Sequence, residues 1–281
     1  MKNQLILAAS GILLVFVLIF FGKTTGKKES PANQPSTSVI KFDIQDEITK
    51  TKQKLTPSQS ASLAKLENNI TRGDVPTQQI AAFNNIAGFW KDSLQMDDPY
   101  IYYTSEAAKL ENSEKTLTFA AQLFLDNLRS ETDIAKVDWK SGIAIELFEK
   151  ALKGNPENTD LKIGLASCYI YGRGRNGNPQ ETMQGIQQLL AVVKMDSSNM
   201  KAQLVLGIGG LVSGQFDKAI DRLQKVVNSQ PDNLEAVLYL ADAYAAKRDK
   251  TNAIKWYNMG KRLRNDPAFT RELDEHIKQL K

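Results

Sequence analysis

Residues 198–265 read SNMKAQLVLGIGGLVSGQFDKAIDRLQKVVNSQPDNLEAVLYLADAYAAKRDKTNAIKWYNMGKRLRN. Two copies of one unit lie in this stretch. Ala219, Leu223, Val226 and Pro231 recur 34 residues later as Ala253, Tyr257, Gly260 and Asn265. Ahead of them, Leu206-Gly207 with Gly210 recurs as Leu240-Ala241 with Tyr244. The spacing of small and large apolar residues at three and four is that of an amphipathic helix, so each unit holds two helices joined by a polar turn. The pattern extends upstream as Gly185…Leu189…Val192…Ser197 and Ala144…Phe148…Ala151…Pro156, with Tyr103…Ala107…Leu110…Lys115 a degenerate copy. The intervals are 41 (103 to 144), 41 (144 to 185), 34 (185 to 219) and 34 (219 to 253). Leu165-Ala166…Tyr169 and, more loosely, Phe124-Leu125…Leu128 begin the upstream units.

Small residues at Ala144, Ala219, Ala241 and Ala253 let helices approach closely, while Phe148, Leu223, Tyr244 and Tyr257 fill the space between neighbours. One helix pair alone cannot bury its apolar face, so pairs stack. The Leu-Gly/Ala…Tyr, Ala…Phe…Ala and closing Pro pattern resembles that of tetratricopeptide (TPR) repeats. Residues 198–265 follow the pattern closely, and 116–197 follow it with seven extra residues between helices in each unit. Residues 76–115 follow it marginally. The resemblance implies an all-α, TPR-type superhelix of stacked helix pairs, and the apolar run at the start of the chain adds one N-terminal transmembrane helix ahead of it. The expected organisation is an anchor at 1–22, a flexible tether at 23–42, a polar helical segment at 43–75 and a degenerate repeat at 76–115. TPR-like repeats then occupy 116–265. A capping helix at 266–281 presents Phe269, Leu273, Ile277 and Leu280 on one face.

The anchor is read from Leu5 to Gly22, 18 residues without a charge. As a helix these would span about 27 Å, close to a hydrocarbon core of about 30 Å. A cleaved signal has a shorter apolar core and a small-residue cleavage site, which Thr24-Thr25-Gly26 matches poorly. A short N-terminal tail favours export of the body, whereas Lys23, Lys27 and Lys28 after the span favour the cytoplasm. The reading leans to a single-pass inner-membrane protein with its body on the exported, periplasmic side. The polar Thr/Ser/Pro/Asn/Lys composition of 24–41 reads as a tether.

Composition limits the chemistry. One Cys (Cys168) and one His (His276) leave no disulfide framework, His-based metal site or Ser–His–Asp arrangement. The net charge of +4, from 36 basic and 32 acidic residues intermixed along the chain, gives no nucleic-acid footprint. Cys168 reads as a buried inert thiol and His276 as a surface residue. The pairs Asp97-Asp98 and Asp126…Glu131 read as solvated helix ends, Asp97-Asp98 as an N-cap before Pro99. Gly172-Arg173-Gly174-Arg175-Asn176-Gly177 matches the letters of a dinucleotide fingerprint. It falls within the repeat register, no second strand–helix–strand unit follows, and Pro179 suits the first turn of a helix. It therefore reads as an inserted loop, with Arg173 and Arg175 offered to an acidic partner. The three glycines Gly207, Gly209 and Gly210 cost a helix roughly 1 kcal/mol each relative to Ala, and read as sites of close helix packing rather than a hinge.

The resemblance implies that inner-face positions of the first helices line a ligand groove: Ile163, Ser167 and Tyr171, then Lys201, Leu204, Ile208 and Leu211, then Leu238 and Asp242. Only Lys201 matches a carboxylate-gripping pattern, so an extended or helical peptide with apolar anchors is the expected ligand. The function expected is a membrane-anchored scaffold that binds a protein or peptide, for assembly of an envelope complex. It is not an enzyme, and it uses no cofactor, metal or nucleic acid. The alternatives are self-association into a homo-oligomer and a carboxylate-dependent hydrolase, which would need a pocket of convergent Asp or Glu.

Overall fold

The computed structural model describes residues 41–72 and 75–280, and among them are thirteen helices and no strand. The anchor at 5–22, the tether up to Ile40 and the Gly73-Asp74 break lie outside these residues. No described helix is long and apolar enough to cross a membrane.

Two helices come first: α1 (Ile44–Lys52) and α2 (Pro57–Arg72). The first pair is α3 (Pro76–Gly88), which ends in a π-helical turn at Phe89–Ser93, and α4 (Asp97–Glu111). The next two pairs are α5 (Glu114–Ser130) with α6 (Ile134–Gly154), and α7 (Thr159–Tyr169) with α8 (Pro179–Met195). The last two are α9 (Met200–Val212) with α10 (Phe216–Ser229), and α11 (Leu234–Ala246) with α12 (Lys250–Leu263). Helix α13 (Pro267–Leu280) closes the stack, burying Leu273 and Ile277 against Tyr257 and Ala253.

The first helices of the last three pairs share a start signal. Asn158, Asn199 and Asn233 each take extended backbone and accept a hydrogen bond from an amide of the following turn. An Asn at that point satisfies an otherwise orphaned amide and sets where the helix begins. The seven extra residues of the longer units go to two different uses. In the second pair they become helix: α5 has 17 residues and α6 has 21, against 13 and 14 for α11 and α12. In the third pair they form a π-helical turn at Ile170–Gly174, followed by a turn to Pro179.

The glycines act through packing. A Cβ at Gly207 would stand 2.6 Å from Leu223, at Gly209 3.0 Å from Ile170 and Ile186, and at Gly210 3.2 Å from the Ala219 backbone. Gly164 is equally tight, 2.5 Å from Phe148. The helix-propensity cost of these glycines is offset by the close approach they permit between helices.

Consecutive pairs are not evenly spaced. The first helices α5, α7, α9 and α11 each touch the next in that series, while the second helices α8, α10 and α12 make no mutual contact of comparable extent. The stack therefore curves, with the first helices inside.

Charge also enters the core. The Lys140 ammonium, 4% exposed, lies 2.8 Å from Asp98 and 2.7 Å from Glu131, and Lys136 bridges Asp98 at 2.6 Å and Glu47 of α1 at 3.0 Å. Asp97 and Asp98 stand inside the first turn of α4 behind Met96, so the expected Asp97-Asp98 N-cap gives way to a buried ion pair at Asp98. Glu131 is likewise not a solvated helix end: its side chain is 15% exposed and pairs with Lys140. The N-terminal segment is fixed by the same cluster. Phe42, at the end of the expected tether, packs its ring 4.8 Å from that of Trp139 and lies beneath Lys136. Ile44, Ile48 and Leu63 share a small core with Ile86, Trp90 and Tyr103, so α1 and α2 cap the N-terminal end of the stack.

Candidate functional site

The inner face is partly closed by its own side chains. Arg129, in the last turn of α5, donates to both carboxylate oxygens of Glu235 in the first turn of α11, at 2.9 and 3.0 Å. The Tyr171 hydroxyl, from the π turn after α7, donates to the same carboxylate at 3.1 Å, and the Arg129 guanidinium lies 5.1 Å from the Tyr171 ring centre. Burial first, then the Glu235 charge, raises the Tyr171 hydroxyl well above the ordinary phenol range, against the opposing pull of Arg129. One tie thus spans 106 residues and joins three first helices.

The groove positions inferred from the resemblance fall on either side of that closure. Ile163, Ser167, Tyr171, Leu204 and Ile208 are all under 9% exposed, within the core or bonded inside it. Leu211 and Leu238 are half-buried against the core. Half-buried Asp242 accepts a 2.6 Å hydrogen bond from Tyr257, and burial raises its carboxyl while that bond opposes the rise. Lys201 is exposed, but Asp160 holds its charge at 3.0 Å. The physical reason is curvature. When the first helices meet tightly enough for α5 to reach α11, Ile163 and Ser167 of α7 and Leu204 and Ile208 of α9 between them have little free surface.

What remains open is the mouth formed by the first turns of α5 and α7. A cavity of about 790 Å³ lies there, lined by Phe119, Gln122, Thr118, Asn158 and Asp160. Phe119 is 55% exposed, a large aromatic ring left in water. It is the equivalent of Asp160 and Lys201 in the preceding unit, 41 residues before the one and 82 before the other. The 41-residue interval places it at this inner-face position, but the looser match of its unit to the repeat pattern leaves it outside the inferred groove.

The other motifs resolve as structure. Gly172 and Gly174 are buried, and a Cβ would meet Ser141 at 2.4 Å at the first and Thr182 at 2.4 Å at the second, so these two glycines serve close packing of the turn. Arg173 pairs with Glu181 at 3.3 Å, and Arg175 donates to the carbonyl oxygens of Arg129 and Glu131, so both arginines are used within the chain. Cys168 is fully buried, and burial raises its thiol far above the ordinary range. His276 is exposed, its ring edge-on to Tyr257. No group of three or more His, Cys, Asp or Glu among the described residues is placed to hold a metal.

A family model for the tetratricopeptide repeat matches residues 211–268. A tetratricopeptide repeat protein from Parabacteroides merdae superposes with a TM-score of 0.56 at 14% identity, over 83% of this chain and 85% of that one. The fold is a TPR superhelix. A thermophilic TPR protein of Thermus thermophilus superposes with a TM-score of 0.54 at 14% identity, over 72% of this chain and 98% of that one. No curated protein matches the sequence. At 14% identity these structures establish the TPR architecture alone, so the use of its inner face must be argued from the residues present.

The Arg129–Glu235 tie has a measurable consequence. Both side chains are about one-third exposed, so solvent screening limits their coupling to roughly 1 kcal/mol despite the bidentate geometry. A double-mutant cycle of Arg129→Met and Glu235→Gln in urea unfolding is expected to return that coupling, with the tie opening well before global loss of structure.

Proposed function

We propose that this TPR protein is a scaffold that captures a peptide segment of another protein at the mouth between α5 and α7. The open cavity with Phe119 at its edge carries this reading, because a solvent-facing aromatic beside a cavity with polar groups around it is the form of a binding hot spot. The buried positions farther in would hold the curvature that presents this mouth. The reading includes attachment through residues 5–22, with the repeats on the exported side of an inner membrane and an envelope complex as the thing assembled. The sequence of that segment supports the attachment.

The test is a photo-crosslinking residue at position 119 of the full-length protein in cells. A discrete adduct is expected that is absent when the crosslinker stands at exposed Met195 on α8, and that Gln122→Arg diminishes at least severalfold. Equal adducts at both positions would remove the mouth from consideration. Phe119→Asp is expected to abolish capture and leave the stability within about 0.5 kcal/mol of the parent, since the ring is exposed. A membrane-impermeant reagent applied after opening the outer barrier reaches the repeats only on the exported side. Modification that requires a permeant reagent would reverse the topology.

A further inference from the structure

The outer face of the last three repeats is open where the inner face is closed. Because α8, α10 and α12 splay apart, two grooves run between them. The first, about 390 Å³ between α8 and α10, is floored by Met183, Ile186, Leu190 and Leu206. The second, about 460 Å³ between α10 and α12, is floored by Val227, Pro231, Trp256 and Met259. Met183 and Leu190, one face of α8, are 44% and 43% exposed.

The rims of both grooves are cationic: Lys218 and Arg222 at the first, Lys255 and Arg262 at the second. None of the four makes an ion pair among the described residues, although such pairs are frequent elsewhere along the chain. Lys218 donates to Gln215 at 2.8 Å and Arg222 to Gln203 at 2.7 Å. Lys255 lies over the Trp256 ring, and Arg262 donates to the Met259 sulfur. Apolar grooves flanked by four cations without carboxylate partners define a complementary ligand: apolar side chains on one stripe, carboxylates beside it.

We propose that this outer face docks an acidic amphipathic helix of a partner protein. Its apolar stripe enters the grooves, and its Asp and Glu side chains meet Lys218, Arg222, Lys255 and Arg262. A continuous polyanion fits less well, because exposed Asp221 follows Lys218 and precedes Arg222 on α10, and exposed Asp232 follows that helix. The surface shares no residue with the inner mouth and goes beyond the scaffold reading given for it.

The probe is a fluorescently labelled helical peptide of about 18 residues, Leu at i, i+3, i+4 and i+7 and Glu on the flanks, titrated with the full-length protein. Saturable binding is expected, weakened at least about tenfold by Lys218→Glu with Lys255→Glu, and weakened also by Met183→Gln with Leu190→Gln. All four positions are exposed, so each double variant is expected to melt with the parent. Phe119→Asp is expected to leave this binding unchanged, which separates it from the inner mouth. A peptide with Lys in place of Glu is expected not to bind. Absence of saturable binding, or indifference to the charge reversal, overturns the proposal. So does binding to phosphatidylglycerol vesicles that the charge reversal abolishes, where the peptide itself does not bind; the surface then serves a membrane.

Discussion

Lys140→Met is expected to destabilise the protein by about 3–5 kcal/mol, enough to threaten folding at ordinary temperature. The ammonium is 4% exposed and sits between Asp98 and Glu131, so its removal leaves two like charges facing each other across a buried site. Lys136 relieves only Asp98. Urea unfolding of the variant measures the loss, and a triple variant, Lys140→Met with Asp98→Asn and Glu131→Gln, is expected to recover much of it because the charges disappear together. A loss below about 1 kcal/mol in the single variant would mean that water reaches the cluster. Acid provides a second readout. Burial alone would raise the Glu131 carboxyl, but the Lys140 hydrogen bond and the amides of Asp133 and Thr132 outweigh it and hold the group down to about 2. A carboxyl lowered on folding stabilises the native state above its unfolded value of about 4.5, and that contribution fades as pH falls from there toward about 2. It amounts to on the order of 2–3 kcal/mol at neutral pH, so a Glu131→Gln variant is expected to show a flatter acid limb of stability than the parent.

Ile208→Glu is expected to cost more than about 3 kcal/mol, and Leu204→Glu nearly as much. As groove residues lining a wet inner surface, both would accept a carboxylate with little effect on folding. In the structure Ile208 is 2% exposed and Leu204 8%, and the first-helix neighbours leave no room for the charge to reach water. Thermal and urea unfolding distinguish the two situations directly. A folded Ile208→Glu protein with the parent midpoint would mean that the inner face opens in solution. Phe119→Asp is the contrasting variant, since its side chain already stands in water and only recognition should suffer.

The helix pairs were legible because each carries its signal locally. Ala219…Leu223…Val226 and Ala253…Tyr257…Gly260 repeat at one interval because every second helix must present the same small and large residues to the same neighbours. The three glycines of α9 were readable as packing positions, and Gly207 against Leu223 shows that reading in atomic distances. Asp98 and Glu131 were not readable as partners of a buried lysine. Nothing in the residues around them names Lys140 as a partner, and acidic residues near helix ends are solvated far more often than not. Phe119 stood between these cases: its equivalence to Asp160 was available from the 41-residue interval, but its exposure was not.

The sequence by itself determined the all-α class, the stacking of repeated helix pairs and the burial of Cys168. These follow from periodicity and from side-chain size within a short window. Only the tertiary structure decided which side of the superhelix is open. That depends on how tightly consecutive first helices meet, and so on the Arg129–Tyr171–Glu235 tie between residues up to 106 apart. Curvature sums small angles over several pairs, and no single repeat encodes the total. The inner face therefore closed over Ile163 and Ile208, while the splay of α8, α10 and α12 opened the outer one.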